Sequence, residues 1–212
     1  MSTSPTIAIF DFDGTIADSL DFVLAQYNRL APRFRVKPVV REELPRLRAL
    51  PASVILKEHG VSFWKLPLLV ATIRKAMRSH GDGIEAHDGV IEALRALTER
   101  GVRCSALSTN STENIERFLA RHDLRMFEHV AGGVGMSGKA RALTRLMARA
   151  GFAARDVVYI GDEARDVEAA ARAGVRSIGV AWGYTDRNAL AAHAPTHIAD
   201  RPADLVTLLT AK

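Results

Sequence analysis

With 212 residues, 48% of them hydrophobic and 25% charged, the chain has room for one good-sized core, or for a core plus a small insertion. It contains no apolar stretch of the roughly 18 uninterrupted residues a membrane helix needs, no secretory leader pattern in Met1-Ser2-Thr3-Ser4-Pro5, and one cysteine, Cys104, which excludes an internal disulfide and is expected to be buried and inert; a cytoplasmic protein is expected. The balance is basic, 29 Lys and Arg against 24 Asp and Glu, and the whole excess lies between positions 16 and 87, where 12 basic residues face 7 acidic ones.

The first apolar run, 6–10, reads as a strand and ends in Asp11-Phe12-Asp13-Gly14-Thr15. If strand geometry persists, Asp11 and Asp13 project to one side, and Gly14 lets the backbone turn away. The next 65 or so residues break the pattern. From about 18 to 80 only helical segments are expected, punctuated by Pro32, Pro38, Pro45, Pro51 and Pro67. A parallel crossover needs little more than a dozen residues, so this stretch is expected to be a helical subdomain inserted after the first strand. Its arginines Arg46 and Arg48 are candidates for contacting substrate, although a solvent-facing helix accounts for either. An anionic substrate, a nucleic acid or a solvated helical face could each explain the local excess of positive charge. Nucleic acid is disfavoured, because there is no basic run and no aromatic-basic interleaving.

Beyond the insertion, helices (90–100, 113–122, 140–150, 163–173) alternate with strands (103–107, 128–131, 157–160, 176–180, 196–198). Gly101, Gly151 and Gly174 follow three of these helices, where a left-handed residue is wanted. Alternation of this kind implies an α/β fold with a parallel sheet covered on both faces. Such sheets bind ligands beyond the carboxyl ends of their strands. There the second strand carries Ser108-Thr109-Asn110, a hydroxyl and an amide able to hold an anionic oxygen. The fourth carries Gly161-Asp162-Glu163-Ala164-Arg165-Asp166, with Asp162 and Asp166 four apart at a helix start and so expected to share a face. Lys139 precedes another helix.

Four carboxylates at one sheet edge repel one another and call for a cation. Oxygen donors without His or Cys suit Mg²⁺. A carboxylate-bound Mg²⁺ beside a lysine and a hydroxyl suits a phosphoryl group. Two carboxylates two residues apart can divide the work, one attacking phosphorus and the other trading protons. His59, His80, His87 and His193 show no ligand spacing. Gly133-Val134-Gly135-Met136-Ser137-Gly138-Lys139-Ala140 nearly matches a nucleotide-binding loop, but Ala140 stands where that loop needs a hydroxyl for Mg²⁺.

Asp11-x-Asp13-Gly14-Thr15, Thr109-Asn110, Lys139 and Gly161-Asp162-x-x-x-Asp166, in this order, resemble the four motifs of the haloacid dehalogenase superfamily, in its phosphoglycolate-phosphatase-like branch. The stretch Ala181-Trp182-Gly183-Tyr184 also looks like a loop of that family, so the resemblance spans nearly the whole chain. It implies a Rossmann-like core (1–15 and 84–212) with an inserted α-helical cap (16–83). It implies a Mg²⁺-dependent phosphatase acting on a small phosphorylated metabolite through an aspartyl-phosphate, with phosphoglycolate the family-level guess. Asp11 would be nucleophile and metal ligand, and Asp13 general acid/base and metal ligand through its carbonyl. Thr109 and Lys139 would hold the phosphoryl group, with Asn110 and Arg48 as substrate contacts. Asp162 and Asp166 would complete the metal site. One departure is Ala140 after Lys139, where many relatives have proline. A phosphomutase of the same chemistry stays open. A non-enzymatic phospho-acceptor module would need neither Asp13 nor the insertion. No nucleic-acid or membrane partner is expected, and oligomeric state cannot be read.

Overall fold

The computed structural model describes residues 6–135 and 138–210. Six strands form one parallel sheet: β1 (Ile7–Phe10), β2 (Arg103–Leu107), β3 (Phe127–Ala131), β4 (Val157–Gly161), β5 (Arg176–Val180) and β6 (His197–Ala199), in the order β3-β2-β1-β4-β5-β6. The α/β parallel-sheet expectation is borne out.

Strand alternation explains how the short runs serve two cores. Ala8, Phe10, Cys104, Ala106, Val158 and Ile160 point into one apolar layer. Ile7, Ile9, Leu107, Val157 and Tyr159 point into the other. Every residue of β1 and β4 is buried, as expected of central strands covered on both faces. Burial also pushes the Cys104 thiol up to about 11, which keeps it un-ionised.

Between β1 and β2 lie four α-helices, α1 (Leu20–Phe34), α2 (Leu44–Arg48), α3 (Ala52–Glu58) and α4 (Lys65–His80), followed by α5 (Val90–Glu99), which packs back on the sheet side. The insert has an apolar cluster of its own, including Leu30, Ala31, Val36, Val61 and Leu69. Its two connections to the sheet run side by side: Ala17 pairs antiparallel with Ala86, Asp18 N–H donates to Glu85 O (2.9 Å), and His87 N–H donates to Ile16 O (3.0 Å).

The remaining helices are α6 (Thr112–Arg121), α7 (Lys139–Ala150), α8 (Ala164–Ala173), α9 (Arg187–Ala191) and α10 (Pro202–Thr210). Gly151 and Gly174 follow α7 and α8 at φ of 70°, closing both in the left-handed region. The chain runs outward from β1 through β2 to β3, then returns to begin β4 on the other side of β1. The sheet therefore has its switch point between β1 and β4, where a crevice opens beyond the strand ends. No described helix is long and apolar enough to cross a membrane.

Candidate active site

Asp11 is the first residue beyond β1, and its N–H still donates to Ile160 O of β4 (2.8 Å). One carboxylate oxygen accepts from the Phe12 N–H (2.8 Å) and the other from Lys139 Nζ (2.7 Å). Lys139, the first residue of α7, also donates to Asp166, and its ammonium lies 5.7 Å from the Tyr159 ring centre. All three charged groups are at most 2% exposed. Burial works against the charge of Lys139, but Asp11 and Asp166 outweigh it and hold its pKa well above the usual lysine value. Burial likewise works to raise Asp11, yet the charges of Lys139 and Arg165 and the nearby Ser108 hydroxyl bring it below the ordinary carboxylate value.

Asp162 sits in the turn between β4 and α8. Asp11, Asp162 and Asp166 each offer an oxygen, all three within 4.8 Å of one another. Asp162 accepts from Thr15 Oγ1 (2.8 Å) and from the Tyr184 N–H (2.8 Å), but from no cation among the described residues. Burial and the repulsion of Glu163, Asp166 and Asp11 push it well above the usual carboxylate range. Burial also raises Asp166, to about 6, against the pull of Lys139. Three buried carboxylates with one lysine leave an excess of negative charge. Hard, all-oxygen donors so arranged suit a divalent cation such as Mg²⁺.

The close approach depends on missing side chains. A Cβ on Gly14, which has φ of 77°, would strike the Asp162 carboxylate; one on Gly161 would strike that of Asp166. One on Gly183 would strike Asp162 and the Gly14 carbonyl.

Asp13 lies apart from this cluster. Its two oxygens accept from Ser19 Oγ (2.9 Å) and Asn110 Nδ2 (2.9 Å). Burial, then the charge of Asp11, lifts its pKa to about 6. Two carboxylates on one turn thus hold their protons differently. Ser19 also shares a hydrogen bond with the Tyr184 hydroxyl (2.8 Å). Tyr184 belongs to the loop after β5, which wraps the site: Trp182 Nε1 donates to Thr15 O (3.1 Å).

The structure brings Asp11, Asp13, Asn110, Lys139, Asp162 and Asp166 to one place. Thr109 is half-buried and, among the described residues, makes no side-chain hydrogen bond to these carboxylates. Ser108, one residue earlier and buried, is the hydroxyl beside Asp11. Arg48 is committed elsewhere, donating from Nη2 to Gly183 O (2.6 Å) and Ala181 O (3.4 Å) and so strapping α2 to the loop after β5. Arg46 pairs with Glu58 at the surface (2.9 Å). Asp162 and Asp166 do not share a helix face, since only Asp166 is in α8; it caps that helix by accepting from the Glu163 N–H (3.0 Å). Met136 and Ser137, inside the nucleotide-loop look-alike, lie outside the described residues.

Residues 8–180 match the family model described as haloacid dehalogenase-like hydrolase. The chain belongs to that family. It is 37% identical over 203 residues to a phosphoglycolate phosphatase of Synechococcus elongatus, covering 95% of this chain and 96% of the relative. It is 24% identical over 229 residues to the pyrophosphatase PpaX of Listeria monocytogenes, covering 99% and 98%. Among solved structures, a haloacid dehalogenase-like family protein from Streptococcus pneumoniae superposes with a TM-score of 0.79 at 18% identity, covering 96% and 98%. The resemblance drawn from the four motifs is borne out, and the chain is a phosphatase.

Ser19 carries no signal in the sequence, and Ser108, Arg165, Thr15 and Tyr184 stand there only within longer motifs. For Ser108 the signal was available: it is the first polar residue after β2, as Asp11 is after β1.

Proposed function

We propose that this chain is a Mg²⁺-dependent phosphatase that hydrolyses a small phosphate monoester, 2-phosphoglycolate foremost, with Asp11 as nucleophile. The single observation carrying this is the buried constellation in which Lys139 bridges Asp11 and Asp166 beside Asp162. The 37% identical relative, a phosphoglycolate phosphatase whose match spans nearly both chains, supports this choice of substrate.

Asp11, Asp162 and Asp166, with the Asp13 carbonyl, would hold Mg²⁺, which supplies charge neutralisation at the phosphoryl oxygens. Lys139, kept charged by its carboxylates, fixes the Asp11 oxygens and presents its ammonium to the phosphoryl group. Ser108 supplies a hydroxyl on the β2 side, a place given to Thr109 from sequence alone.

An Asp11 oxygen attacks phosphorus while the ester P–O bond breaks. The leaving alkoxide takes the proton of Asp13, whose pKa near 6 lets it carry one close to neutrality. Asp13, now a carboxylate, removes a proton from water; the water oxygen attacks phosphorus, phosphate departs and Asp11 is restored. Ser19, itself bonded to Tyr184, and Asn110 hold Asp13 on the leaving-group side throughout. The helical insert (16–83) acts as the cap. Asp11 and Asp162 are at most 2% exposed, so an opening motion has to precede substrate binding.

Phosphate release from 2-phosphoglycolate, p-nitrophenyl phosphate and pyrophosphate, with Mg²⁺ and with EDTA, tests this. Phosphoglycolate should be the best of the three, with activity lost in EDTA and in Asp11→Asn. Metal-independent turnover, or full activity in Asp11→Asn, would overturn the mechanism. Pyrophosphate as the best substrate would overturn the substrate assignment alone.

A further inference from the structure

The positive excess of the insert resolves into individual arginines and lysines, and their surroundings separate them. Lys37, Arg41, Arg46 and Arg78 pair at the surface with Glu43, Asp21, Glu58 and Glu113. Arg48 is bonded to carbonyls of the loop after β5, and Lys65 donates to Arg35 O (3.4 Å). Arg29, Arg33, Arg35, Lys57 and Lys75 are exposed. Arg74 differs from all of these: it is partly buried and, among the described residues, has neither an ion pair nor a side-chain hydrogen bond.

Its place is fixed by the helix that carries it. Asn110 Nδ2, while donating to Asp13, also contacts Met77 Sδ (2.8 Å), one turn along α4 from Arg74. Asn114 Nδ2 donates to the Arg74 carbonyl (3.2 Å) and to Asn110 Oδ1 (2.8 Å). The Arg74–Met77 turn is therefore pinned over the Asn110–Asp13 pair. The guanidinium feels two site charges, the attraction of Asp13 and the repulsion of Arg165, while its partial burial works against its charge.

Asp13 faces the leaving oxygen, and the phosphoryl group belongs on the other side, with Asp11 and Lys139. An anion at Arg74 would therefore sit on the leaving alcohol. We propose that Arg74 is a specificity-determining residue that binds a carboxylate carried by the leaving group, making this enzyme selective for phosphate esters of small hydroxy acids. This rests on the phosphatase reading above and names the class of alcohol it accepts. A guanidinium fork matches a carboxylate in shape. One free positive charge matches one carboxylate; a second phosphate dianion would call for another, and Arg165 is held by Glu163.

The test compares kcat/KM for 2-phosphoglycolate and for ethyl phosphate, which lacks the carboxylate, in the Mg²⁺-loaded enzyme. Wild type should prefer phosphoglycolate. In Arg74→Ala the ratio of the two should fall about 10- to 100-fold, the loss expected for a charge-assisted hydrogen bond, and mainly through the KM for phosphoglycolate. Arg74→Lys, which keeps the charge without the fork, should restore part of the ratio. A ratio unchanged in Arg74→Ala, or both substrates falling together, would overturn the proposal while leaving the phosphatase reading intact. A wild type indifferent to the carboxylate would overturn it as well, whereas turnover independent of Asp11 would sink the underlying mechanism.

Discussion

Asp13→Asn should cost the enzyme its activity and make the metal-free protein more stable. The Asp13 oxygens accept from Ser19 Oγ and Asn110 Nδ2. An asparagine can keep both contacts: its oxygen accepts from Asn110, and its amide donates to Ser19 Oγ, whose hydroxyl then turns toward Tyr184. What disappears is the cost of a carboxylate buried beside Asp11. Its folded pKa of about 6 against an unfolded 3.8 sets that cost, at about 1.4 kcal/mol per unit, to about 3 kcal/mol once the pH is above 6. A raised carboxylate pKa means the folded state binds the extra proton. The penalty is thus absent below pH 3.8, grows between 3.8 and 6, and is constant above. Urea unfolding in EDTA should find the variant about 3 kcal/mol more stable at pH 8 and about half that at pH 5, with a Tm rise at pH 8 of about 6–12 °C. A stability difference that does not change between pH 5 and 8, or a variant less stable than wild type at pH 8, would refute the placement of Asp13 as a partly buried carboxylate within the field of Asp11.

Lys139→Met should destabilise the metal-free protein by about 3–5 kcal/mol at pH 8, because it strands two buried carboxylates. The loss should shrink as the pH falls toward 6, because without the Lys139 ammonium Asp166 takes up its proton above the value of about 6 it has beside it; chemical denaturation between pH 6 and 8 measures it. Gly183→Ala places a methyl against Asp162 and the immovable Gly14 carbonyl, and should cost about 1–3 kcal/mol together with most Mg²⁺-dependent turnover. Gly135→Ala, whose methyl meets nothing among the described residues, should leave the thermal melt unchanged.

The sheet was readable in the sequence because its strands are short apolar runs ended by polar residues, and the glycines after α7 and α8 marked where helices stop. Asp11, Asp162 and Lys139 were readable as chemistry for a related reason: each stands at a strand end or a helix start, which parallel-sheet topology carries to one edge. Arg48 was not readable, since one arginine in a basic helical stretch gives no hint that its guanidinium will seek backbone carbonyls 133 and 135 residues away. Ser19 and Arg74 were hidden for the same reason. The groups near them come from other elements, and no spacing rule links Ser19 to Tyr184 or brings Arg74 within the field of Asp13. The hydroxyl of Ser108 was a matter of register, where one residue decides which side chain turns toward Asp11.

The same electrostatics that argue for a metal also argue for the division of labour between the two aspartates. With all three ionised, Asp11, Asp162 and Asp166 against Lys139 leave two negative charges, what one divalent cation neutralises. Arg165 does not settle the balance, because Glu163 holds it. Asp11 gains a direct ammonium contact and is kept ionised, as the proposed nucleophile has to be. Asp13 receives only neutral donors, a hydroxyl and an amide, which hold its orientation without opposing its protonation. Exchanging these surroundings would exchange the proposed roles: an Asp11 bonded only to neutral donors would hold a proton and be a poor nucleophile, and an Asp13 paired with lysine would have no proton to give a leaving oxygen. The difference between the two residues therefore lies in Lys139 on one side and Ser19 with Asn110 on the other, not in the Asp-x-Asp pattern that carries them both.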